Sequence, residues 1–407
     1  MDLIVQKYGG TSVGSTEKIK YIAKNISKLT KKNKSIVVVV SAMAGETDRL
    51  DKITKKISKI PNEKEYDQVI SSGEKISAGL LSIALLEIKT KAVSLDPSKF
   101  DLLTDDLHSK AKILSVGTKK IKNLLKEGFV VVVPGFQGIN SKGDVTTLGR
   151  GGSDLTAVAL ASALKASHCE LLKDDVDGIY TTDPRLYKDA KKINYISYPE
   201  MLEMSSLGSK VLQAKAVEYA NNLKVKLYVK STSKTTNKGT WVMDEKSIPI
   251  KERKIITGVT HDLKQSKITV SGIEDVPGVA SKIFKPIGAA GIVVDMIVQN
   301  ISIDNKTDLT FTIPKDDLNK TVKILKSNKS KINYREIIQD KEIALISIVG
   351  AGMKTHTGIA TRMFDTLSNA KINISMISTS EIKISCVINQ SKCKKAIQYL
   401  HKEFKLD

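Results

Sequence analysis

Leu3-Ile4-Val5-Gln6-Lys7-Tyr8-Gly9-Gly10-Thr11-Ser12 is the stretch whose reading sets the architecture. Leu3–Gln6 is a strand-sized apolar run, Lys7 follows at its end, and two glycines turn the backbone. Beyond them Thr16–Lys31 places Ile19, Ile22, Ala23, Ile26 and Leu29 at helical spacing. The same alternation then recurs. Ile36–Ser41 reads as a buried strand, Ile76–Lys89 as an apolar helix and Lys91–Ser94 as a short strand. Ala111–Glu127 reads as a helix, Phe129–Pro134 as a strand and Leu155–Ala166 as an Ala-rich helix. Glu170–Leu172 and Lys226–Val229 complete the strands. Strands alternating with helices in this way imply an α/β domain, a mainly parallel central sheet covered on both faces.

Ser231–Lys254 breaks the pattern, being rich in Ser, Thr and Lys around Asn237-Lys238-Gly239, and a domain boundary is expected there. The sole Trp, Trp241, is expected to pack at a strand end. Beyond the break lies an internal repeat. A constant offset aligns Gly278 with Gly358, Phe284 with Phe364, Ile292 with Ile372 and Met296-Ile297 with Met376-Ile377. The first copy runs Lys267–Gly272 (strand), Pro277–Gly288 (helix), Ile292–Gln299 and Asp308–Ile313 (strands) and Asp317–Ser327 (helix). In the second, Ile343–Gly350, Gly358–Ala370, Ile372–Ser378, Ile382–Ile388 and Lys392–Glu403 take those places. That is βαββαβ twice, a ferredoxin-like pair. It suits a regulatory or dimerising module; two packed domains without a ligand fit the same pattern.

Composition narrows the function. The 407 residues suggest two or three domains, and 41% hydrophobic residues suffice for real cores. The formal net charge is +21, but 59 of the 65 basic residues are Lys and they are scattered. Nucleic-acid readers cluster charge and lean on Arg forks, so no nucleic-acid partner is expected. Cys169, Cys386 and Cys393 form neither a disulfide framework nor a zinc site, which fits a reducing cytoplasm. No signal peptide is visible, and no apolar run reaches the 18 or so residues of a membrane span.

Three segments can carry chemistry. Lys7-Tyr8-Gly9-Gly10-Thr11-Ser12 sets a cation and two glycines at a strand end, which suits phosphate; an ordinary glycine turn fits equally. It is not a P-loop, whose pattern occurs nowhere in the chain. Thr147-Leu148-Gly149-Arg150-Gly151-Gly152-Ser153-Asp154 leads into a helix. Its N–H groups form an anion site, Arg150 adds a fork for carboxylate or phosphate, and Asp154 then needs Lys7 or a magnesium ion as partner. Asp174-Asp175-Val176-Asp177-Gly178-Ile179-Tyr180, with Asp183-Pro184-Arg185, suggests a metal or ribose contact, or simply a solvated acidic turn. No metal-ligand set emerges, and the five His are scattered.

Taken in order, these pieces resemble the aspartate kinase (aspartokinase) family. The matching stretches are KYGGTSVG at Lys7–Gly14, SAMAGETD at Ser41–Asp48, SSGEKIS at Ser71–Ser77, TTLGRGGSD at Thr146–Asp154, DVDGIYTTDPR at Asp175–Arg185 and LGSKVL at Leu207–Leu212. DVPGVASKIF, VDMIVQNIS, SIVGAGMKTH and MISTSEIKIS add the C-terminal half. The resemblance implies a three-layer αβα amino-acid-kinase fold over residues 1–250, then ACT domains over 251–335 and 336–407, the second completed by a strand near Ile255–Thr260. It implies a monofunctional enzyme that transfers the γ-phosphoryl of ATP, with Mg²⁺, to the β-carboxylate of L-aspartate. That is the first step towards lysine, threonine, methionine and diaminopimelate.

By motif, Lys7 would hold the transferring group and Asp154 would orient Lys7. Gly9, Gly10 and Ser41 would line the phosphate loop. Thr47, Glu74, Arg150 and Ser153, with Gly151 and Gly152, would hold aspartate, Arg150 on its α-carboxylate and Glu74 near its ammonium. Tyr8, Asp174, Asp175, Tyr180, Arg185, Lys210 and Val211 would bind the nucleotide. Asp275 and Gln299 would line an effector pocket for lysine and/or threonine, with ACT pairing giving at least a homodimer. Asp174 stands where the family usually has Thr, Tyr8 where it has Phe, and Gln213-Ala214-Lys215 where it has His-Pro-Arg. These departures touch nucleotide affinity rather than reaction type. A non-catalytic amino-acid sensor of the same fold is the alternative.

Overall fold

The structure is a computed structural model and describes residues 2–407 except 175, 207–210, 234–237 and 301–304. The chain divides into two compact units. The first holds residues 2–179, Lys192–Ser205 and 211–253; the second holds Tyr180–Lys191, Ser206 and Lys254–Asp407.

The first unit is built on an eight-stranded sheet. Its order is Tyr195–Ser197, Thr240–Met243, Leu227–Ser231, His168–Lys173, Asp2–Tyr8, Lys34–Val40, Val130–Pro134 and Ala92–Ser94. All neighbours run parallel except Leu227–Ser231 against Thr240–Met243. The central strands are apolar on both faces because helices cover both, so Ile36–Val40 is buried throughout. Helices Thr16–Thr30 and Ser72–Glu87 supply Ile19, Ile22, Ile26, Leu81 and Leu85 to one side of that core. Helix Gly152–Ala163 is buried along almost its whole length, which explains its Ala-rich sequence. This is the three-layer amino-acid-kinase architecture.

The topology fixes where a ligand can sit. Asp2–Tyr8 has Lys34–Val40 on one side and His168–Lys173 on the other, both parallel to it. Strand order reverses there, and such a switch point opens a crevice outside the C-terminal strand ends. Those ends carry Lys7, Ser41, Gly135 and Lys173.

Several elements depart from the sequence reading. Ala111–Glu127 is not one helix: Ile113–Val116 is a strand paired with Leu102–Thr104, and only Lys119–Lys126 is helical. Those strands join Gln137–Ile139 and Val145–Thr147 in a separate four-stranded sheet. Tertiary pairing has overridden local periodicity. Helices Glu46–Ile57, Glu63–Ile70, Tyr198–Ser206 and Ala214–Asn222 are further elements beyond those the sequence pattern predicts. The Ser231–Lys254 break contains the strand Thr240–Met243, where Trp241 stacks on Tyr228 with ring centroids 4.4 Å apart.

The second unit contains two four-stranded antiparallel sheets. One has the order Ile297–Gln299, Lys306–Pro314, Gln265–Glu274, Glu336–Asp340, with helices Val279–Ala289 and Leu318–Ser327 beside it. Ile268, Ile283, Ile287, Phe311 and Leu325 form its core. The other has the order Gly258–Asp262, Ile343–Val349, Lys383–Asn389, Ile374–Thr379, with helices Ile359–Asn369 and Cys393–Glu403. The first sheet is thus contiguous in sequence, with Glu336–Asp340 as the closing strand of its βαββαβ copy, whereas the second takes a strand from outside its own copy. Glu336–Asp340 pairs with Gln265–Glu274, so the boundary expected between 335 and 336 falls after that strand. Gly258–Asp262, which precedes the first copy, pairs with Ile343–Val349 of the second. Tyr180–Lys191 also belongs to this unit, although it lies within the stretch expected to be catalytic. Thr181 donates its amide to Lys191 O and accepts the Val259 amide, while Tyr187 joins the core of the second sheet.

Candidate active site

At the switch point the sheet's hydrogen-bond ladder continues past the strands. Gly9 N–H donates to Leu172 O, Ser41 N–H to Tyr8 O, and Gly135 N–H to Val40 O. These bonds align the loops that leave neighbouring strands. Gly10 is held closely: a Cβ there would lie 2.7 Å from Ala42 O, so only glycine lets these two loops touch.

Lys7, next to last in the strand Asp2–Tyr8, is buried and points to the N-terminal turn of helix Gly152–Ala163. Its Nζ lies 2.6 Å from Asp154 Oδ1. Burial alone would raise the Asp154 carboxyl, but the Lys7 and Lys173 charges outweigh it and hold the group below the usual carboxylate range. The helix begins after Gly151, whose φ of 77° is a left-handed value that favours glycine; a Cβ there would also meet Gln213 Cγ at 2.9 Å. Ser153 is buried beside Gly135, and Arg150 is exposed. A cation, a loop of N–H groups and a helix N-terminus in one place suit a polyanion.

Glu74 lies in the first turn of helix Ser72–Glu87 and is 3% exposed. The Ala42 N–H donates to its Oε1 at 3.0 Å, while Oε2 is buried without a partner among the described residues. Burial pushes its carboxyl up to about 7, against the Ala42 N–H and the Lys7 charge. A buried carboxylate oxygen with no donor is a vacant acceptor, and an ammonium group would satisfy it.

The amino acid kinase family model matches residues 2–231, and an ACT domain model matches residues 268–328 and 346–404. The aspartate kinase of Stutzerimonas stutzeri is 47% identical over 407 residues, covering 100% of this chain and 98% of that protein. The chain belongs to the aspartokinase family. Among solved aspartokinases, E. coli aspartokinase III in complex with aspartate and ADP (R-state) superposes with a TM-score of 0.76. The same enzyme in complex with lysine and aspartate (T-state) gives 0.78. Each is 25% identical and covers 99% of this chain and 100% of its own.

The aspartokinase motifs do not all converge in one unit. Lys7, Gly9, Gly10, Ser41, Thr47, Glu74, Arg150, Gly151, Gly152, Ser153, Asp154 and Asp174 belong to the first unit. Thr47 is in the first turn of helix Glu46–Ile57. Tyr8 ends the strand Asp2–Tyr8. Its ring is buried in the sheet core with its hydroxyl donating to Gln6 Oε1, and its carbonyl accepts from Ser41 N–H. Asp174 is held by Lys18, whose Nζ also donates to Thr11 O. Tyr180 and Arg185 fall in the second unit, where Arg185 forks onto Asp183 at 2.6–3.2 Å. Val211 is partly buried, and Asp175 and Lys210 lie outside the described residues. Asp275 and Gln299 are exposed in the first ACT sheet region, Asp275 N–H donating to Asn305 O. Among the described residues no cluster of His, Cys, Asp and Glu could hold a metal by itself.

Sequence reasoning missed Lys18 and Asp67. Lys18 gave no signal among so many lysines. Asp67 gave one: with Ile70 and Glu74 it falls at i, i+3, i+7, a charge on a buried helical face.

Proposed function

We propose that this chain transfers the γ-phosphoryl group of ATP to the β-carboxylate of L-aspartate, giving 4-phospho-L-aspartate. The observation that carries the reading is Glu74, a buried carboxylate within the field of Lys7 whose Oε2 has no partner among the described residues. The substrate's α-ammonium would bind there and its α-carboxylate would meet Arg150. The aspartate-bound and ADP-bound E. coli relative supports the substrate pair.

No general base is needed, because the nucleophile is a carboxylate with an ordinary pKa of about 3.9. One of its oxygens forms a bond to the γ-phosphorus as the bond to the bridging oxygen breaks, and ADP leaves with that electron pair. Lys7 screens charge on the transferring group, and Asp154 fixes the Lys7 ammonium. Ser153 and the loop amides add donors. Magnesium suits such a site as a nucleotide-borne ion, since it keeps several waters and needs only one or two carboxylates; Asp154 is the buried candidate. When bound it would neutralise phosphate charge.

The ACT units and the lysine-bound E. coli relative support feedback by lysine, threonine or both, and assembly at least to a dimer. A cytoplasmic place at the head of lysine, threonine, methionine and diaminopimelate synthesis completes the reading. The test is hydroxylamine trapping with Mg-ATP and L-aspartate, with and without each amino acid. Aspartyl hydroxamate above a Lys7→Ala control is expected, with suppression by an effector. Its absence while lysine or threonine still binds would leave the sensor instead.

A further inference from the structure

We propose that Asp67 is a positioning residue that sets the distance between the Arg150 loop and Glu74, and through it the fit of the amino-acid substrate. The proposal rests on the aspartate-binding reading above. Asp67 lies in helix Glu63–Ile70 and is 0% exposed. Five donors converge on its carboxylate. Oδ2 accepts from Thr147 N–H at 2.9 Å, Ser109 N–H at 2.9 Å and His108 Nδ1 at 3.0 Å. Oδ1 accepts from Thr147 Oγ1 at 2.7 Å and Ser109 Oγ at 3.2 Å. A carboxylate only accepts, so His108 carries its hydrogen on Nδ1.

These partners are remote in sequence and meet only here. Thr147 ends the strand Val145–Thr147 and leads directly into Leu148-Gly149-Arg150. Its N–H and hydroxyl are both taken by Asp67, and its carbonyl accepts from Ala111 N–H. All three polar groups of Thr147, at the root of the Arg150 loop, are therefore engaged. In the other direction the helix of Asp67 runs through Ser71 into the helix of Glu74. Asp67 thus ties the element bearing Arg150 to the element bearing Glu74.

The chemistry makes that distance matter. The α-carboxylate and α-ammonium of an amino acid share one carbon, so groups that grip both must stand at one fixed separation. A binding site misplaced by about 1 Å can lose on the order of 100-fold in rate. A buried carboxylate satisfied by this many donors is a stiff link, and removing its charge unpairs several of them at once.

The test is steady-state kinetics of Asp67→Asn, which keeps the side chain's shape but turns an NH₂ towards donors. Thr147→Val, which removes one hydroxyl donor and leaves the backbone bond, is the milder second variant. Expected is a KM for aspartate raised about 10-fold or more in Asp67→Asn and severalfold in Thr147→Val, with KM for ATP within about twofold. The double variant should add little to Asp67→Asn, because both act on one link. Equal loss in both KM values with a lowered melting temperature would make Asp67 a structural residue only and overturn the proposal. Unchanged KM for aspartate in folded Asp67→Asn would overturn it too. Failure of the underlying reading is distinct: the wild-type protein itself would then form no aspartyl hydroxamate.

Discussion

Glu74 holds its carboxyl in a setting that disfavours charge, and its titration should be visible in function. With the group pushed up to about 7, the free enzyme loses the acceptor for the substrate ammonium as pH falls through that value. Accordingly kcat/KM for aspartate should rise with pH and level off above about 7, while Glu74→Gln gives a low, flat profile across the same range. Stability should run the opposite way. The folded protein keeps this proton more tightly than the unfolded chain, whose carboxyl titrates at the ordinary value of about 4.5. Its contribution is therefore full below 4.5 and lost as pH rises through about 7, by roughly 3 kcal/mol. Thermal melts without ligand should show that decline, and saturating aspartate should reduce it. Lys7 poses a different test. Lys7→Met should lower kcat by about 10²–10³-fold, the usual effect of removing one preorganised donor. It also strands the buried Asp154 charge, which costs on the order of 3–5 kcal/mol. The Lys7→Met/Asp154→Asn pair should recover the melting temperature without recovering kcat.

Among the elements, the Gly258–Asp262 strand makes the sharpest prediction. It covers the edge of Ile343–Val349, whose residues are buried throughout. A fragment of residues 254–407 should fold and stay soluble. One of residues 264–407 should expose that edge and aggregate, because an unpaired apolar edge recruits other chains. Light scattering of the two fragments decides it. The same strand shows what the sequence can and cannot reveal. Strands that are apolar on both faces, such as Lys34–Val40, announce themselves, and so do motifs at their C-terminal ends, including Lys7 and the Gly149–Asp154 loop. Elements defined by partners do not. Ile113–Val116 carries a helix-like period and becomes a strand only because Leu102–Thr104 lies beside it. Thr240–Met243 hides in a polar stretch and is fixed by its pairing with Leu227–Ser231. Asp67 draws its donors from His108, Ser109 and Thr147, a convergence that no local window contains.

For the molecule as a whole, the placement of Tyr180–Lys191 matters most. Thr181 accepts the Lys191 amide on Oγ1, leaving its hydroxyl hydrogen for His401 Nε2 at 2.7 Å. His401 is buried, and its Nδ1 faces Asp407 Oδ1 at 2.5 Å. Burial lowers the His401 pKa from 6.5 even though Asp407 opposes the shift. The neutral ring is thus the folded form. The stability it lends is present above 6.5 and is lost as pH falls through the lowered value. Hydrogen exchange should show residues 180–191 opening on mild acidification in the wild type. In His401→Gln that protection should already be reduced at neutral pH.

The same segment bears on how such a protein could be encoded. A gene divided after residue 253 would yield two polypeptides. The second would keep Gly258–Asp262 and both of its sheets, yet it would lack Tyr180–Lys191. That stretch would remain a loop of the first polypeptide, presenting Thr181 and Tyr187 to a partner made separately. The hydrogen bonds of Thr181 to Val259 and His401 would then have to form between two gene products rather than within one.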